Sequence, residues 1–343
     1  MRRSSIVFVA ILTLAFAQAA SARDLRGAGS TFAFPIMKLW TQAYEKQDAV
    51  PIQYEPIGSS SGVTELKEGM VDFAVTDAPL VDAQLLRDGL SQFPLVIGGV
   101  AIAVNLDGIQ PGQLHLTGEV LASIYLGGIK RWNDPTIVAL NPDLALPNLP
   151  ILPIYRSDGS GTTYNFTDFL GKVSPTARAA IGSGTSVRWP VGVGAKGTGG
   201  VAAAVTHVKG AVGYVEFGYA VQARLTYGLV RNQAGNYIAP SAASFRSAVA
   251  STNWLEQPNF YVSVTNAAPA NAYPIVATSF VLVRTRLGDP DGAQALRGFF
   301  QWALEQGQAM AENANYLPLP ATLIQQVEAS WGGRQAETVA RLH

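Results

Sequence analysis

The stretch PLVIGGVAIAVN, residues 94–105, is apolar or glycine over nearly its whole length. A continuous apolar run of this kind predicts a β-strand that is buried on both faces. A second run of the same character, PIVATSFVLV, returns late in the chain at residues 274–283. We interpret the two runs as crossover strands between two lobes. The chain would start in one lobe, traverse the other and return to complete the first.

Helical and strand-like patterns alternate along the rest of the chain. Residues 35–47 carry apolar side chains at helical spacing, whereas residues 71–76 alternate as a strand. This alternation is typical of an α/β fold with mixed, mainly parallel sheets flanked by helices. We predict that residues 23–100 and 277–343 form the first lobe, that residues 101–276 form the second, and that residues 1–22 are a signal peptide.

The N-terminal residues have the features of an export signal. Arg2 and Arg3 precede an apolar run over residues 6–17, and small residues follow up to Ala22. The run is shorter than a membrane-spanning helix requires. The chain contains no cysteine, which excludes disulfides, thiolate metal ligands and a lipid anchor on cysteine. We expect a periplasmic protein, with release into the medium as the alternative.

Charge and size exclude several classes of partner. Without residues 1–22 the chain has 22 basic and 24 acidic residues, a formal net charge of −2. That balance offers no basic field for nucleic acid or for anionic lipid. The remaining 321 residues exceed the usual size of one hydrophobic core, which again favours two lobes.

Four short clusters of serine, threonine and glycine lie at or near predicted helix starts. A helix N-terminus leaves backbone N–H groups without partners and carries a partial positive charge, so it attracts anions. Each cluster taken alone is equally well explained as a helix cap or a turn. Together they favour a site for a small tetrahedral anion. The clusters are residues 29–32 (GSTF), 58–62 (GSSSG), 76–79 (TDAP) and 157–162 (SDGSGT).

Two charged residues beside these clusters sharpen the chemistry. Arg156 offers forked donors to two oxygens, and Asp158 can hold the plane of that guanidinium; the alternative is a surface ion pair. Asp77 repels an unprotonated anion but accepts a hydrogen bond from a protonated one. Phosphate carries a proton near neutral pH and sulfate does not, so Asp77 would select phosphate. The alternative is a strand-end carboxylate that caps nearby amides.

Other patterns point away from catalysis. Residues 192–197 match G-x-G-x-x-G, but no good strand pattern precedes them, and we assign them to a long surface loop over residues 182–200. The histidines, His115, His207 and His343, lie far in sequence from the serine clusters. No hydrolase or metalloprotease motif occurs. We therefore predict no catalytic residue, no metal and no cofactor.

Several separated motifs in a fixed order support a family assignment. They are residues 27–32, 58–60, 71–73, 77–79, 93–94, 96–100, 124–127, Trp132, 158–162 and 213–216. On these residues the chain resembles the periplasmic phosphate-binding component of bacterial ABC-type phosphate importers, over nearly the whole mature sequence. Similar proteins often have alanine in place of Ser30, proline in place of Ala33 and glycine in place of Ser61.

The resemblance implies a type II-like, two-lobed periplasmic binding protein that holds phosphate in its cleft. It implies a monomeric, non-enzymatic receptor that delivers phosphate to inner-membrane ABC permease subunits with a cytoplasmic ATPase. The alternatives are a secreted phosphatase or a receptor for sulfate, molybdate or a phosphonate. Asp158 would orient Arg156, and the implied phosphate ligands are Ser30, Thr31, Phe32, Ser59, Asp77, Arg156, Ser160, Gly161 and Thr162.

Overall fold

The computed structural model describes residues 24–48, 50–286 and 288–340, with the side chains of residues 255, 258 and 332–340 left out. The predicted signal peptide, residues 1–22, lies outside the described residues. The strands are β1 Leu25–Gly29, β2 Ile52–Glu55, β3 Phe73–Thr76, β4 Leu90–Val104, β5 His115–Leu116, β6 Leu152–Arg156, β7 Val193–Ala195, β8 Ala211–Glu216, β9 Thr226–Tyr227, β10 Leu229–Arg231, β11 Tyr237–Ile238 and β12 Val276–Arg284.

The helices flank these strands and alternate with them along the chain. They are α1 Phe34–Asp48, α2 Ser59–Glu68, α3 Asp82–Asp88, α4 Gly118–Tyr125, α5 Pro135–Leu140, α6 Gly161–Val173, α7 Pro175–Ala180, α8 Gly197–His207, α9 Phe217–Gln222, α10 Ala242–Val249, α11 Pro290–Glu305, α12 Gln308–Asn313 and α13 Ala321–Ala340. Short 3-10 turns lie at Trp254–Glu256 and Pro258–Phe260.

One curled mixed sheet runs through the fold in the order β2-β1-β3-β12-β4-β8-β6-β7, with β9 also paired to β4. The outer pairs are parallel: β1 with β2 and β3, and β6 with β7 and β8. The central pairs, β12 with β3 and β4, and β4 with β8, are antiparallel. A small second sheet has the order β11-β10-β5.

Strand β4 joins the two halves of the large sheet. Its residues 90–99 pair with β12, and its residues 100–104 pair with β8. We call β2, β1, β3, β12 and residues 90–99 the first half, and residues 100–104, β8, β6, β7 and β9 the second half. All residues of β4 are buried, as the apolar run predicts. At the changeover, a Cβ on Gly99 would lie 2.3 Å from the Phe245 ring, so this glycine lets the ring pack against the strand.

The sequence-predicted elements are present with small shifts at their ends. The helix predicted over residues 35–47 is α1, whose Ile36, Met37, Trp40 and Tyr44 face the core. The strand predicted over residues 71–76 begins two residues later, and the second apolar run forms β12. The described part of the chain contains no helix that is both long enough and apolar enough to cross a bilayer.

The long surface loop predicted over residues 182–200 is wrong for residues 193–200, whereas residues 182–192 contain no helix or strand, as predicted. Residues 193–200 contain β7, which extends the sheet in parallel beside β6, and the first turn of α8. Gly192, just before β7, serves close packing. Gly192 has φ +103°, and a Cβ there would lie 2.4 Å from the Pro153 carbonyl oxygen.

Candidate anion-binding site

The four serine and glycine clusters lie together at the carboxyl ends of the strands. Residues 29–32 follow β1, residues 76–79 follow β3, residues 58–62 begin α2, and residues 157–162 join β6 to α6. The Gly161 N–H on α6 donates to Ser59 Oγ on α2 at 3.0 Å. The helix that follows β6 in the second half therefore meets the helix that follows β2 in the first half. The Asn165 side chain on α6 donates to the Asp77 backbone carbonyl at 2.7 Å. Clusters far apart in sequence are therefore neighbours in the fold.

Asp77 is the buried acceptor of the first half, with 1% of its surface exposed. Ser30 Oγ lies 2.8 Å from its Oδ1 and 2.7 Å from its Oδ2, and Ser279 Oγ donates to Oδ1 at 2.7 Å. Burial raises the pKa of Asp77 to about 6, although the two serine hydroxyls and the Arg156 charge oppose the rise. The carboxylate is thus ionised at neutral pH through neutral donors and one more distant cation.

Arg156 is the buried cation of the second half. Its Nε donates to Asp158 Oδ1 at 2.7 Å, and its Nη2 pairs with Asp158 Oδ2. The two side chains are only 2% and 9% exposed, so this is a buried pair rather than a surface ion pair. Burial opposes ionisation of Asp158, but Arg156 and the Gly197 N–H outweigh it and hold the pKa of Asp158 below its usual value. The guanidinium plane is therefore fixed, and its Nη1 lies 3.4 Å from Thr162 Oγ1.

The start of α6 is buried against the first half. Ser160 is the N-cap of α6, and its hydroxyl accepts the Thr163 N–H at 3.1 Å. A Cβ on Gly161 would lie 2.6 Å from Asp77 Cβ, so only glycine allows this approach. Ser160, Gly161 and Thr162 are all buried. The N-terminus of α6 thus packs directly against Asp77.

The entry to α1 combines capping with contacts to both halves. Ser30 Oγ accepts the N–H groups of Phe32 and Ala33 at 3.0 and 3.1 Å. The Phe32 carbonyl accepts from Tyr316 at 2.6 Å. Thr31 Oγ1 lies 2.9 Å from the Thr198 hydroxyl and accepts the Thr198 N–H at 3.1 Å. All the site residues predicted from the sequence are thus brought to one place.

Sequence reasoning missed four residues at this site. Thr198 lies in the first turn of α8, in a segment that the sequence analysis assigned to a loop. Thr185 contacts Ser60, with the two hydroxyls 3.0 Å apart. Asn165 lies one helical turn after Gly161 and bonds its carbonyl, so helical spacing was a signal for it. Ser279 lies 202 positions from Asp77, and no local pattern marks it.

The geometry offers one buried acceptor opposite one oriented cation, with hydroxyls and helix-start amides between them. Such a set can take a proton-carrying anion on Asp77 and its remaining oxygens on donors. Among the described residues no group of three or more histidine, aspartate or glutamate side chains could hold a metal ion.

Comparison with known proteins places the chain in a family. Residues 15–306 match the PBP superfamily domain. The chain belongs to that superfamily. Within it, the chain is 44% identical over 307 residues to the phosphate-binding protein PstS of Xylella fastidiosa strain 9a5c, covering 90% of this chain and 84% of the relative. It is 41% identical over 331 residues to PstS of Haemophilus influenzae, covering 96% and 98%. These relatives confirm the resemblance drawn from the motifs.

The fold comparison agrees with the family assignment. A solved structure described as a high affinity periplasmic phosphate-binding protein, PfluDING, bound with phosphate, superposes with a TM-score of 0.71 at 22% identity. The match covers 90% of this chain and 94% of that one. The predicted α/β periplasmic binding protein fold is therefore confirmed.

Proposed function

We propose that this protein binds inorganic phosphate between its lobes and delivers it to an ABC permease. The observation that carries the proposal is the buried Asp77 carboxylate, facing the start of α6 at Gly161 and held by hydroxyl donors. A carboxylate in an anion site is favourable only when the anion brings a proton, as phosphate does near neutral pH. The PstS names of the relatives agree with that ligand.

The proposed phosphate ligands come from both halves of the sheet. Asp77 accepts a hydrogen bond from the protonated oxygen of the anion, while the oriented Arg156 guanidinium donates hydrogen bonds to its other oxygens. Hydroxyls and helix-start amides complete the coordination and replace the water that the anion loses. The proposed set is Ser30, Thr31, Phe32, Ser59, Asp77, Arg156, Ser160, Gly161 and Thr162, with Asp158 orienting Arg156.

The proposed lobe boundaries follow the sheet. β4 changes partner from β12 to β8 after Gly99, close to the proposed end of the first segment at residue 100. β12 begins at Val276, where the chain would return to the first lobe. Two adjacent crossover strands give a hinge about which the lobes can open to admit phosphate and close on it.

The transport role sets the location and partners that we propose. The chain would act as a monomer in the periplasm, after removal of residues 1–22, and would dock on inner-membrane permease subunits that a cytoplasmic ATPase drives. The relatives are named as binding proteins, and the chain is accordingly a receptor and not an enzyme.

Calorimetric titration of the mature, phosphate-stripped protein tests the proposal. We expect tight one-to-one binding of phosphate at neutral pH and no heat from sulfate. Absence of phosphate binding by stripped protein with a native circular dichroism spectrum would overturn the assignment. Sulfate, molybdate or phosphonate binding in its place would identify another oxyanion receptor, and turnover of a chromogenic phosphate monoester would identify a phosphatase.

A further inference from the structure

Ser279 owes its position to strand register. β12 runs antiparallel to β3, and Phe280 pairs with Thr76. Ser279 precedes Phe280 on β12 and faces Asp77, the residue after β3. Its hydroxyl donates to Asp77 Oδ1 at 2.7 Å. Both residues are almost completely buried. The contact is therefore set by the pairing of β12 with β3, with Asp77 as the first residue after β3.

A bulge in the sheet lies at the same position. The pairing of β12 with β4 shifts between Ser279, opposite Val96, and Phe280, opposite Pro94. A bulge of this kind changes the direction of nearby side chains and often lies beside a functional site. The shift falls at the residue that contacts Asp77.

Ser30 holds the same carboxylate from the end of β1. Among the described residues, Oδ1 of Asp77 is within hydrogen-bond distance of both serine hydroxyls, and Oδ2 is within reach of Ser30 only. An ionised carboxylate has about four acceptor positions. The two serines thus fix its plane and leave acceptor capacity on Oδ2, which faces Gly161 at the start of α6.

The other charged and titratable groups around Asp77 come from four elements. Arg156 on β6 favours its ionised form. Burial raises the pKa of Glu216, at the end of β8, to about 8, and the charge of Asp77 adds to that rise. Burial also keeps the pKa of Tyr54 on β2, and of Tyr316 after α12, well above its usual value. Among Asp77, Glu216, Tyr54 and Tyr316, Asp77 thus has the lowest pKa.

We propose that Ser279 and Ser30 are positioning residues that keep the Asp77 carboxylate ionised and aimed at the anion, and so set the rejection of unprotonated anions. The proposal rests on the proposed phosphate-binding function. Ionised Asp77 accepts a hydrogen bond from hydrogen phosphate, but against sulfate, which has no proton to donate, its negative charge is repelled. Protonated Asp77 would instead donate a hydrogen bond to sulfate. The pH below which sulfate binds therefore reports the ionisation of Asp77.

The test compares Ser279→Ala with Thr278→Val on the same strand. Thr278 is also buried, and its hydroxyl has no hydrogen-bond partner among the described residues, so the control removes a hydroxyl without touching Asp77. Sulfate and phosphate affinities would be measured calorimetrically from about pH 5 to about pH 8, where Asp77 titrates and sulfate does not. In the native chain we expect sulfate binding only below about pH 6.

Loss of the Ser279 hydroxyl should move the sulfate profile upward by about one pH unit, because a hydrogen bond to an ionised group changes its ionisation about tenfold or more. Thr278→Val should follow the native profile. Ser30→Ala should shift sulfate binding in the same direction, and it provides an independent variant if Ser279→Ala does not fold. The carboxylate infrared band of Asp77, assigned by difference from Asp77→Asn, should show the same shift without any ligand.

Two results separate this inference from the proposed function. The inference alone would be overturned if the native chain binds phosphate while the sulfate profiles and infrared titrations of Ser279→Ala and Ser30→Ala are unshifted. Failure of the folded native chain to bind phosphate would overturn the proposed function, and the role of the serines in anion selection would fall with it.

Discussion

The two halves of the site hold their charged groups in opposite ways. Asp77 in the first half rests on neutral hydroxyls from Ser30 and Ser279, and burial raises its pKa to about 6. Arg156 in the second half is locked to Asp158, whose pKa is lowered. The first arrangement leaves the charge of the acceptor adjustable within the physiological range, and the second fixes a cation at every such pH. Asp77 therefore distinguishes protonated from unprotonated anions, whereas Arg156 attracts both.

Removing the fixed cation should have the largest effect. Arg156→Ala leaves Asp158 buried without its charged partner, a change that costs about 3–5 kcal/mol. We expect phosphate binding to be lost and the melting temperature to fall, as measured by calorimetry. The double variant, with both Arg156→Ala and Asp158→Ala, removes both charges. It should therefore recover stability without recovering phosphate binding. Phosphate affinity close to native in Arg156→Ala would remove Arg156 from the ligand set.

The raised pKa of Asp77 predicts that the free energy of unfolding decreases as the pH rises toward neutrality. Asp77 has a pKa of about 6 when folded and about 3.9 when unfolded, so the unfolded chain loses its proton first. The stability that the neutral carboxyl provides is complete below about pH 3.9 and is lost as the pH rises through about 6. The expected loss is about 3 kcal/mol.

Denaturant unfolding of ligand-free protein at several pH values checks this expectation. Asp77→Asn cannot titrate, so the free energy of unfolding of the variant relative to the native chain should rise across that window. Across this window Glu216 stays protonated in both folded proteins, because burial raises its pKa to about 8; the charge of Asp77 adds to that rise, so the comparison is made below about pH 6. A pH-independent difference would show that the pKa of Asp77 is the same in the folded and the unfolded chain.

Asp77→Asn also tests whether Asp77 selects anions that carry a proton. In Asp77→Asn the amide oxygen can still accept a hydrogen bond, so phosphate binding should weaken only partly, by about 1.5–3 kcal/mol. Sulfate binding should appear at neutral pH because the repelling charge is gone. Competition of sulfate with phosphate measures both effects. Unchanged selectivity in a folded variant would contradict the role of Asp77.

The two halves also differ in how well the sequence predicts them. Residues 157–162 can be predicted from local sequence, because a strand, a turn of small residues and a helix follow one another within a single stretch. Asp77 was likewise predicted from its place at a strand end. Its partner Ser279 was not, because the contact depends on the register between strands that are far apart in the chain. Thr198 was missed for another reason, since the glycines of residues 192–197 read as a loop although they form an edge strand and a helix start.

Thr198 gives the smallest and most specific test, because its hydroxyl joins the start of α8 to Thr31 at the end of β1. Thr198→Val keeps the N–H bond to Thr31 Oγ1 and removes only the contact between hydroxyls. The expected loss is about 0.5–1.5 kcal/mol, or up to about tenfold faster release of phosphate measured by stopped flow. Thr206→Val is the matched control on the same helix, since within the described part of the chain the Thr206 hydroxyl bonds only to the Ala202 carbonyl of α8. Equal release rates in the two variants would mean that contact between the halves at this point does not retain the anion, and retention would then rest on Asp77 and Arg156.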